Sequence, residues 1–121
     1  MEKNLTIRNS TAEFLIFQAK DKSQGVEVVY HDETIWATQK AMSVLFDCST
    51  DNIGLHLKNI FASGELKKES VTEKISATAS DGKSYQTQFY NLDAIISVGY
   101  RVNSIRATQF RQWCTYVLRQ F

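Results

Sequence analysis

The chain of 121 residues contains no proline, only five glycines and two cysteines, and its formal net charge is +1. The two cysteines, Cys48 and Cys114, lie in different predicted elements without the short spacing of metal ligands, which argues against a zinc site and a disulfide framework. No glycine-rich phosphate loop is present. Because the net charge is so small, the chain as a whole is not an obvious polyanion binder, and the position of its charges matters more.

Long apolar runs are also missing. No stretch approaches the roughly 18 consecutive apolar residues that a membrane span requires, and the N-terminus, MEKNLTIRNSTAE, lacks the apolar segment of a secretory signal. We therefore expect a cytoplasmic protein with reduced thiols and no membrane partner. The last helical pattern runs to Phe121 without a glycine, asparagine or proline to end it, so we expect this domain to be excised from a longer natural protein.

Apolar and aromatic side chains, by contrast, are plentiful. With 43% hydrophobic and 12% aromatic residues, the chain has enough material for one hydrophobic core and too little room for two ordinary domains. We therefore expect residues 1–121 to form a single domain. Its basic field should lie at the C-terminal end, because residues 91–121 carry four arginines against one aspartate.

Two β-hairpins are predicted from alternating apolar patterns and turn signals. The first joins EFLIFQA (13–19) to VEVVYHD (26–32) through a polar turn that contains a glycine. The second joins VTEKISATAS (71–80) to KSYQTQFYNL (83–92) through the Asp-Gly pair at 81 and 82, which is the strongest two-residue hairpin signal in the chain.

Between the hairpins, from residue 35 to residue 66, the apolar period changes from two to about 3.6 and predicts two helices. Thr38 is a plausible start of the first helix, and Thr50 or Asp51 can cap the second. A Ser-Gly pair at 63 and 64 ends it. Two short helices joined by a tight polar turn have the geometry that helix-turn-helix proteins use.

Two further helices follow the second hairpin. The segment from Asn91 to Val102 places five residues on one face: Leu92, Ile95, Ile96, Gly99 and Tyr100. The last helix, which Asn103 or Ser104 can cap, has an inner stripe of Ala107, Phe110, Trp113, Cys114, Val117 and Leu118. The order of elements predicts an α+β fold, a single compact domain with two β-hairpins, a helix-turn-helix-like helix pair and two C-terminal helices.

Three arginines, Arg101, Arg106 and Arg111, stand five residues apart where the two C-terminal helices meet. Five residues turn a helical side chain through about 140°, so on one unbroken helix the three side chains would point in different directions. A break at Asn103 and Ser104 would instead bring Arg101 and Arg106 close together. Free N–H groups of the last helix and a guanidinium could then converge on one anion.

A structural role is the alternative for these arginines. Arg106 in the first turn of a helix faces the positive end of the helix dipole, which is unfavourable by about 0.3–1 kcal/mol unless an anion compensates for it. A carboxylate such as Asp93, or a glutamate from elsewhere in the fold, would compensate as well as a bound phosphate. Arginines in short domains also hold corners together through backbone carbonyl groups.

The second candidate site is the exposed start of the second helix of the pair. In a DNA-binding helix-turn-helix these positions reach base edges, and here the side chains of Asn52, His56, Lys58 and Asn59 lie there. Cations are few on the pair, since its two lysines are balanced by two aspartates. The alternative to DNA binding is that the two helices only pack against the core and expose polar outer faces to solvent.

No group of residues suggests catalysis. His31 precedes Asp32 and Glu33, but consecutive strand residues point to opposite faces, so we expect a solvated turn rather than a metal cluster. His56 has no neighbour that would activate it as a base. Cys48, whose pKa a helix N-terminus would lower if the thiol were exposed, has no identifiable partner. We expect no enzyme activity, no metal and no cofactor.

Four segments of the chain resemble a known family. They are IWATQKAMSVLF (35–46), NIGLHLKNIFASGEL (52–66), YNLDAIISVGYRVNS (90–104) and RATQFRQWCTYVL (106–118). From about Glu27 to Phe121, the chain resembles the N-terminal domain of the RhuM virulence-protein family, which occurs in bacterial pathogenicity islands and prophage-like elements. Such domains are also distantly similar to the Bro and KilA-type N-terminal domains of phage antirepressors and large DNA viruses, which are regarded as DNA-binding.

The resemblance implies a non-catalytic, DNA-binding regulatory module in a longer bacterial protein. Ile105 departs from the pattern, because a polar or basic residue is expected at that position. The residues that would contact DNA are Arg101, Asn103, Ser104, Arg106 and Arg111 at the corner and Asn52, His56, Lys58 and Asn59 on the second helix of the pair.

A protein-interaction or self-association domain is the alternative function. In that case the arginine corner is structural, and an apolar face such as Phe17, Tyr30 or Phe121 contacts a protein partner or forms a homodimer. Titration into duplex DNA distinguishes the two functions, because only the first predicts an affinity that falls steeply with salt.

Overall fold

The computed structural model describes the backbone of residues 28–78 and 81–120 and the side chains of residues 28–76 and 81–116. The strands are β1 (Val29–His31), β2 (Thr34–Ala37), β3 (Thr72–Thr78) and β4 (Ser84–Asn91). The helices are α1 (Gln39–Leu45), α2 (Thr50–Ala62), α3 (Lys68–Val71), α4 (Leu92–Gly99) and α5 (Ile105–Gln120). The strands form one antiparallel sheet in the order β1-β2-β4-β3. The predicted α+β class is confirmed.

The first hairpin of the described chain joins β1 to β2, with Val29 opposite Trp36 and His31 opposite Thr34. The change to a helical period was placed at residue 35, but Ile35 to Ala37 belong to β2, and the helix starts only after the predicted Thr38 cap. All three residues of that segment are buried, so both faces of the strand are covered. A strand covered on both faces lacks the alternation of apolar and polar residues by which a half-exposed strand is recognised in a sequence. Of the hairpin predicted at 13–19 and 26–32, residues up to 27 lie outside the described part of the chain.

The second hairpin is confirmed, with strands β3 and β4 paired from Thr72 opposite Tyr90 to Thr78 opposite Ser84. Lys83 was expected in the second strand, but the described pairing ends at Thr78 opposite Ser84. The carboxylate of Asp81 accepts hydrogen bonds from the Lys83 N–H and the Tyr85 hydroxyl, each at 2.9 Å, and holds Lys83 in the turn.

The helix pair begins as predicted and differs at one cap. The hydroxyl of Thr38 accepts a hydrogen bond from the Ala41 N–H at 3.0 Å and starts α1. Helix α2 is capped by Ser49, whose hydroxyl accepts from the Asn52 N–H, so the prediction of a cap at Thr50 or Asp51 was wrong. Both of those residues already lie within the first turn. The predicted end of α2 is confirmed by Ser63 at the C-cap and a left-handed glycine after it.

A sharp corner separates α4 from α5, as the predicted break at Asn103 and Ser104 required. The Ser104 hydroxyl caps α5 by accepting from the Ala107 N–H at 3.0 Å, and it donates to the carbonyl of Phe46 at 2.7 Å. Tyr100 was expected on the inner face but is 51% exposed, because α4 ends at Gly99 and the chain turns away there.

Within the predicted stripe of α5, Ala107, Phe110 and Cys114 are buried and Trp113 is partly buried. The side chains of the last two members of the stripe, at 117 and 118, lie outside the described part. The stripe packs against the sheet and the helix pair in one core, so the inner face of α5 was predicted correctly as far as it is described.

Gly99 is the tightest point of this core. The ring of Phe110 packs edge-on against Phe46, with ring centroids 4.9 Å apart. A Cβ atom on Gly99 would lie 2.5 Å from Cδ2 of Phe110 and 3.1 Å from Cε1 of Phe46. Only a glycine therefore lets the end of α4 approach α5 and the end of α1 this closely. None of the described helices is both long and apolar enough to span a membrane.

Replacing Gly99 by alanine is expected to lower the free energy of unfolding by about 1–3 kcal/mol, because the new methyl group overlaps a buried ring. Gly54→Ala is the matched control, since its Cβ would meet only the movable amide of Gln39. There the loss of one hydrogen bond and the higher helix propensity of alanine should leave stability within about 1 kcal/mol. Urea unfolding of both variants tests this, and equal effects would contradict it.

Candidate nucleic-acid interface

The corner between α4 and α5 holds the three arginines, and each guanidinium has a different setting. Arg106 lies in the first turn of α5, as predicted, and its Nη1 donates to Oε1 of Gln109 at 3.2 Å. Asn103 is exposed at the tip of the corner. The hydroxyl of Ser104 is used within the fold, because it caps α5 and bonds the end of α1.

Arg101 forms an ion pair with Glu65, a residue of the loop that follows α2. The Arg101 Nη2 lies 2.9 Å from Glu65 Oε1. Hydrogen bonds from Arg101 and then from Ser97 hold the pKa of Glu65 below its usual range. Both side chains are partly exposed, so the pair contributes little to stability but fixes the corner beside the helix pair.

Arg111 is bonded to the backbone of the corner. Its Nη1 donates to the carbonyl groups of Gly99 at 2.8 Å and Val102 at 3.0 Å, and its Nη2 donates to Oγ1 of Thr108 at 3.0 Å. Gly99 is the last residue of α4, so the guanidinium supplies a donor that the end of a helix lacks. The expectation that arginines hold the corner through carbonyl groups fits this geometry.

An open groove of about 430 Å³ runs beside the guanidinium of Arg111. Arginine has five N–H donors, and the three bonds of Arg111 described above leave donor capacity for a ligand in this groove. The groove is lined by Thr108, Arg111, Gln112, Thr115 and Tyr116.

Helix α2 presents the second candidate surface. Ile53, Leu57 and Ile60 are buried and fix its orientation on the core. The opposite face is exposed and contains three of the four predicted base-edge residues, Asn52, Lys58 and Asn59, together with Leu55, which is 54% exposed.

The fourth predicted residue of that helix, His56, lies between the exposed face and the corner. Partial burial lowers the pKa of His56, and the nearby positive charge of Arg101 lowers it further. The imidazole is therefore neutral at pH 7 and can both donate and accept a hydrogen bond. His56 of the predicted site on α2 therefore lies near Arg101 of the predicted site at the corner.

Gln39 is a supporting residue that the sequence did not reveal. Its Nε2 donates to the carbonyl of Thr50 at 2.7 Å, and its amide fills the space beside Gly54 that a Cβ would occupy. The side chain thus bridges α1 and the first turn of α2 and fixes the angle between them. A glutamine and a glycine at this separation carry no local signal, so only the packed pair of helices identifies the contact.

Neither thiol is suited to nucleophilic chemistry. Burial, and then the negative charge of Asp47, raise the pKa of Cys48. A lowered pKa was expected only for an exposed thiol, and the Cys48 side chain is partly buried. Burial also raises the pKa of Cys114 to about 12. Both side chains are therefore protonated at pH 7.

Arg111→Met retains most of the apolar stem but removes the donors to the carbonyl groups of Gly99 and Val102. We expect the free energy of unfolding to fall by about 1–3 kcal/mol, because carbonyl groups in a partly buried corner lose their partners. Arg101→Met, the matched control, removes only a surface ion pair and should cost about 0.2–1 kcal/mol. Chemical denaturation would contradict the structural role of Arg111 if the two costs were equal.

The effect of Arg101→Met should depend on pH through Glu65. Because the folded-state pKa of Glu65 is lowered, the ion pair contributes stability above the unfolded-state value of about 4.3 and loses it as the pH falls through the folded value. The difference in unfolding free energy between wild type and variant should therefore be present at pH 7 and disappear once the pH falls below the lowered pKa of Glu65. Denaturant titrations at several pH values test this, and a constant difference would contradict it.

Comparison with known proteins places the corner in a family. Residues 70–121 match the model of the virulence protein RhuM family, and this range contains the second hairpin, α4, the arginine corner and α5. No curated protein and no solved structure matches the chain. The resemblance of residues 27–69 to the family, and the distant similarity to Bro and KilA-type domains, stay predictions. The similarity to the virulence protein RhuM family is therefore found in the hairpin, the corner and the last helix.

Proposed function

We propose that this protein is a non-catalytic, DNA-binding regulatory module that contacts duplex DNA through the exposed face of α2. The support is the helix pair itself. Helices α1 and α2 are joined by a tight turn in which Asp47 adopts a left-handed conformation, with φ of 53°, a position where helix-turn-helix proteins often have glycine. In such a pair, the second helix enters the major groove.

The outer face of α2 has suitable side chains at a suitable spacing. Asn52, Leu55 and Asn59 follow one another at three and four residues and therefore share a face. A rise of 1.5 Å per residue separates the two asparagines by about 10 Å, which is roughly three base-pair steps. Asparagine can bond adenine through two hydrogen bonds, and apolar groups contact the thymine methyl. The face therefore fits a site that contains A·T pairs.

Few cationic side chains are available to contact the phosphates of DNA. Lys58 is exposed on α2, and Lys40 is exposed on α1. In the proposal, Arg106 and the groove beside Arg111 add cationic contacts at the corner, whereas Arg101 is largely neutralised by Glu65. Each neutralised phosphate contributes about −0.9 to the slope of log affinity against log salt, so we expect a shallow slope and modest affinity.

One observation carries the proposal: a helix held rigidly on its inner side by Ile53, Leu57 and Ile60 leaves amide and ammonium groups exposed on its outer side. Gln39 and Ser49 fix its first turn, so the side chains would meet DNA from a preorganised position. A DNA-binding protein of this kind acts in the cytoplasm of a bacterium, where it has access to the chromosome.

Titration of the 121-residue chain into labelled duplex DNA at several salt concentrations tests the proposal. The affinity should fall as salt rises, and Lys58→Ala and Arg106→Ala should each reduce the slope by about one. Asn52→Ala should weaken binding to an A·T-containing site by about 1–3 kcal/mol and leave the slope unchanged.

Lys83→Ala is the matched control, because Lys83 is an exposed lysine in the loop of the β3–β4 hairpin rather than on the helix pair. Its affinity and slope should equal those of the wild type. If no binding is detected at low salt, or if all four variants behave alike, the proposed DNA contact through α2 is wrong.

Self-association is the second candidate function, and one observation favours it. Ile105, the first residue of α5, is 82% exposed, and Tyr100 on the other side of the corner is 51% exposed. Tyr30, from the apolar face suggested by the sequence, is also exposed, whereas Phe17 and Phe121 lie outside the described part. A dimer seen by light scattering in samples that do not bind DNA would favour this function.

A further inference from the structure

Three potential metal ligands from distant parts of the chain meet at one point. The Nε2 atom of His31 lies 3.2 Å from a carboxylate oxygen of Asp32 and 3.3 Å from a carboxylate oxygen of Glu73. The three ligand atoms all lie within 4.8 Å of one another. The sequence suggested only the neighbours Asp32 and Glu33, whereas the structure supplies Glu73 as the third group.

The fold brings these residues together from the two outer strands of the sheet. His31 ends β1, and Glu73 is the second residue of β3, which lies at the other end of the strand order. Trp36 positions His31, because its indole Nε1 donates to the His31 carbonyl at 2.8 Å and the two rings lie 6.2 Å apart. The turn at Asp32 then places its carboxylate beside the imidazole.

The distances match those between the ligands of a metal ion. Bonds of about 2.0–2.1 Å from a tetrahedral zinc ion place two ligand atoms about 3.3–3.4 Å apart. The two distances from the His31 nitrogen, 3.2 and 3.3 Å, are close to this spacing.

Charge and accessibility also favour a cation. The two carboxylates beside the imidazole carry negative charge, which a divalent ion neutralises. All three side chains are exposed, so an ion can enter from solvent and retain water in the open positions. One nitrogen and two oxygen ligands suit Zn²⁺, Co²⁺, Ni²⁺ or Mn²⁺ better than Ca²⁺, which prefers oxygen ligands alone.

We propose that His31, Asp32 and Glu73 bind one divalent transition-metal ion, such as Zn²⁺, that joins the β1–β2 turn to β3. The ion would connect the two outer strands of the sheet, between which β2 and β4 supply the hydrogen-bonded pairing. Its effect is on the stability of the sheet, and no catalytic step is attached to it. The proposal is independent of DNA binding, because none of the three ligands lies on α2 or at the arginine corner.

Calorimetric titration of ZnCl₂ into the untagged, EDTA-treated and dialysed chain tests the site. We expect one Zn²⁺ per chain, and binding at least about tenfold weaker in His31→Ala and in Glu73→Gln. The chain has two histidines, so His56→Ala, which alters a histidine on α2, is the matched control and should bind as the wild type does. Glu69→Gln, an exposed acid on α3, is the control for Glu73.

Co²⁺ provides a second measurement that separates this site from the thiols. A complex at His31, Asp32 and Glu73 should show only the weak visible bands of nitrogen and oxygen ligands. Strong near-ultraviolet charge-transfer absorption from a thiolate would instead assign the ion to a cysteine such as Cys48 and overturn the proposal. So would the absence of Zn²⁺ binding by the wild type, or equal affinities in the wild type and in both ligand variants.

Discussion

The close approach of helix α4 to Phe110 is the contact on which the rest of the structure depends. Because Gly99 has no side chain, the Phe110 ring occupies the space beside it and packs edge-on against Phe46. The chain turns directly after this point, and Ser104 then reaches the carbonyl of Phe46. This buried contact and this hydrogen bond connect the C-terminal helices to the end of α1, and direct packing of α4 against α2 adds to them.

Electrostatics at the corner follow from this packing. Arg111 satisfies the carbonyl group of Gly99, at the end of α4, and that of Val102 in the corner, whereas Arg101 pairs with Glu65. A guanidinium committed to backbone carbonyl groups stabilises the corner and has fewer donors for an external phosphate. The argument for DNA binding consequently depends less on the three arginines than on α2, whose outer face is exposed and whose inner face is fixed.

Both proposals connect the family-matched part of the chain with the part before it. Residues 70–121 contain Arg106 and Glu73, whereas α2 and His31 precede them. The proposed DNA surface needs α2 to be held beside the corner, and the proposed metal site needs the β1–β2 turn to be held beside β3. In each case a long-range contact decides whether groups that are distant in sequence can act on one ligand.

Local sequence signals determined the α+β class, the β3–β4 hairpin, the Thr38 and Ser104 caps and the break between the last two helices. Each of these depends on a few consecutive residues whose backbone preferences or side-chain hydrogen bonds act locally. Tertiary structure alone decided that Ile35 to Ala37 form a strand, since burial on both faces removes the alternation by which a strand is recognised. It also decided that Arg101 contacts Glu65 and that His31 contacts Glu73. A contact between residues distant in sequence leaves no local pattern and exists only when the fold brings the side chains together.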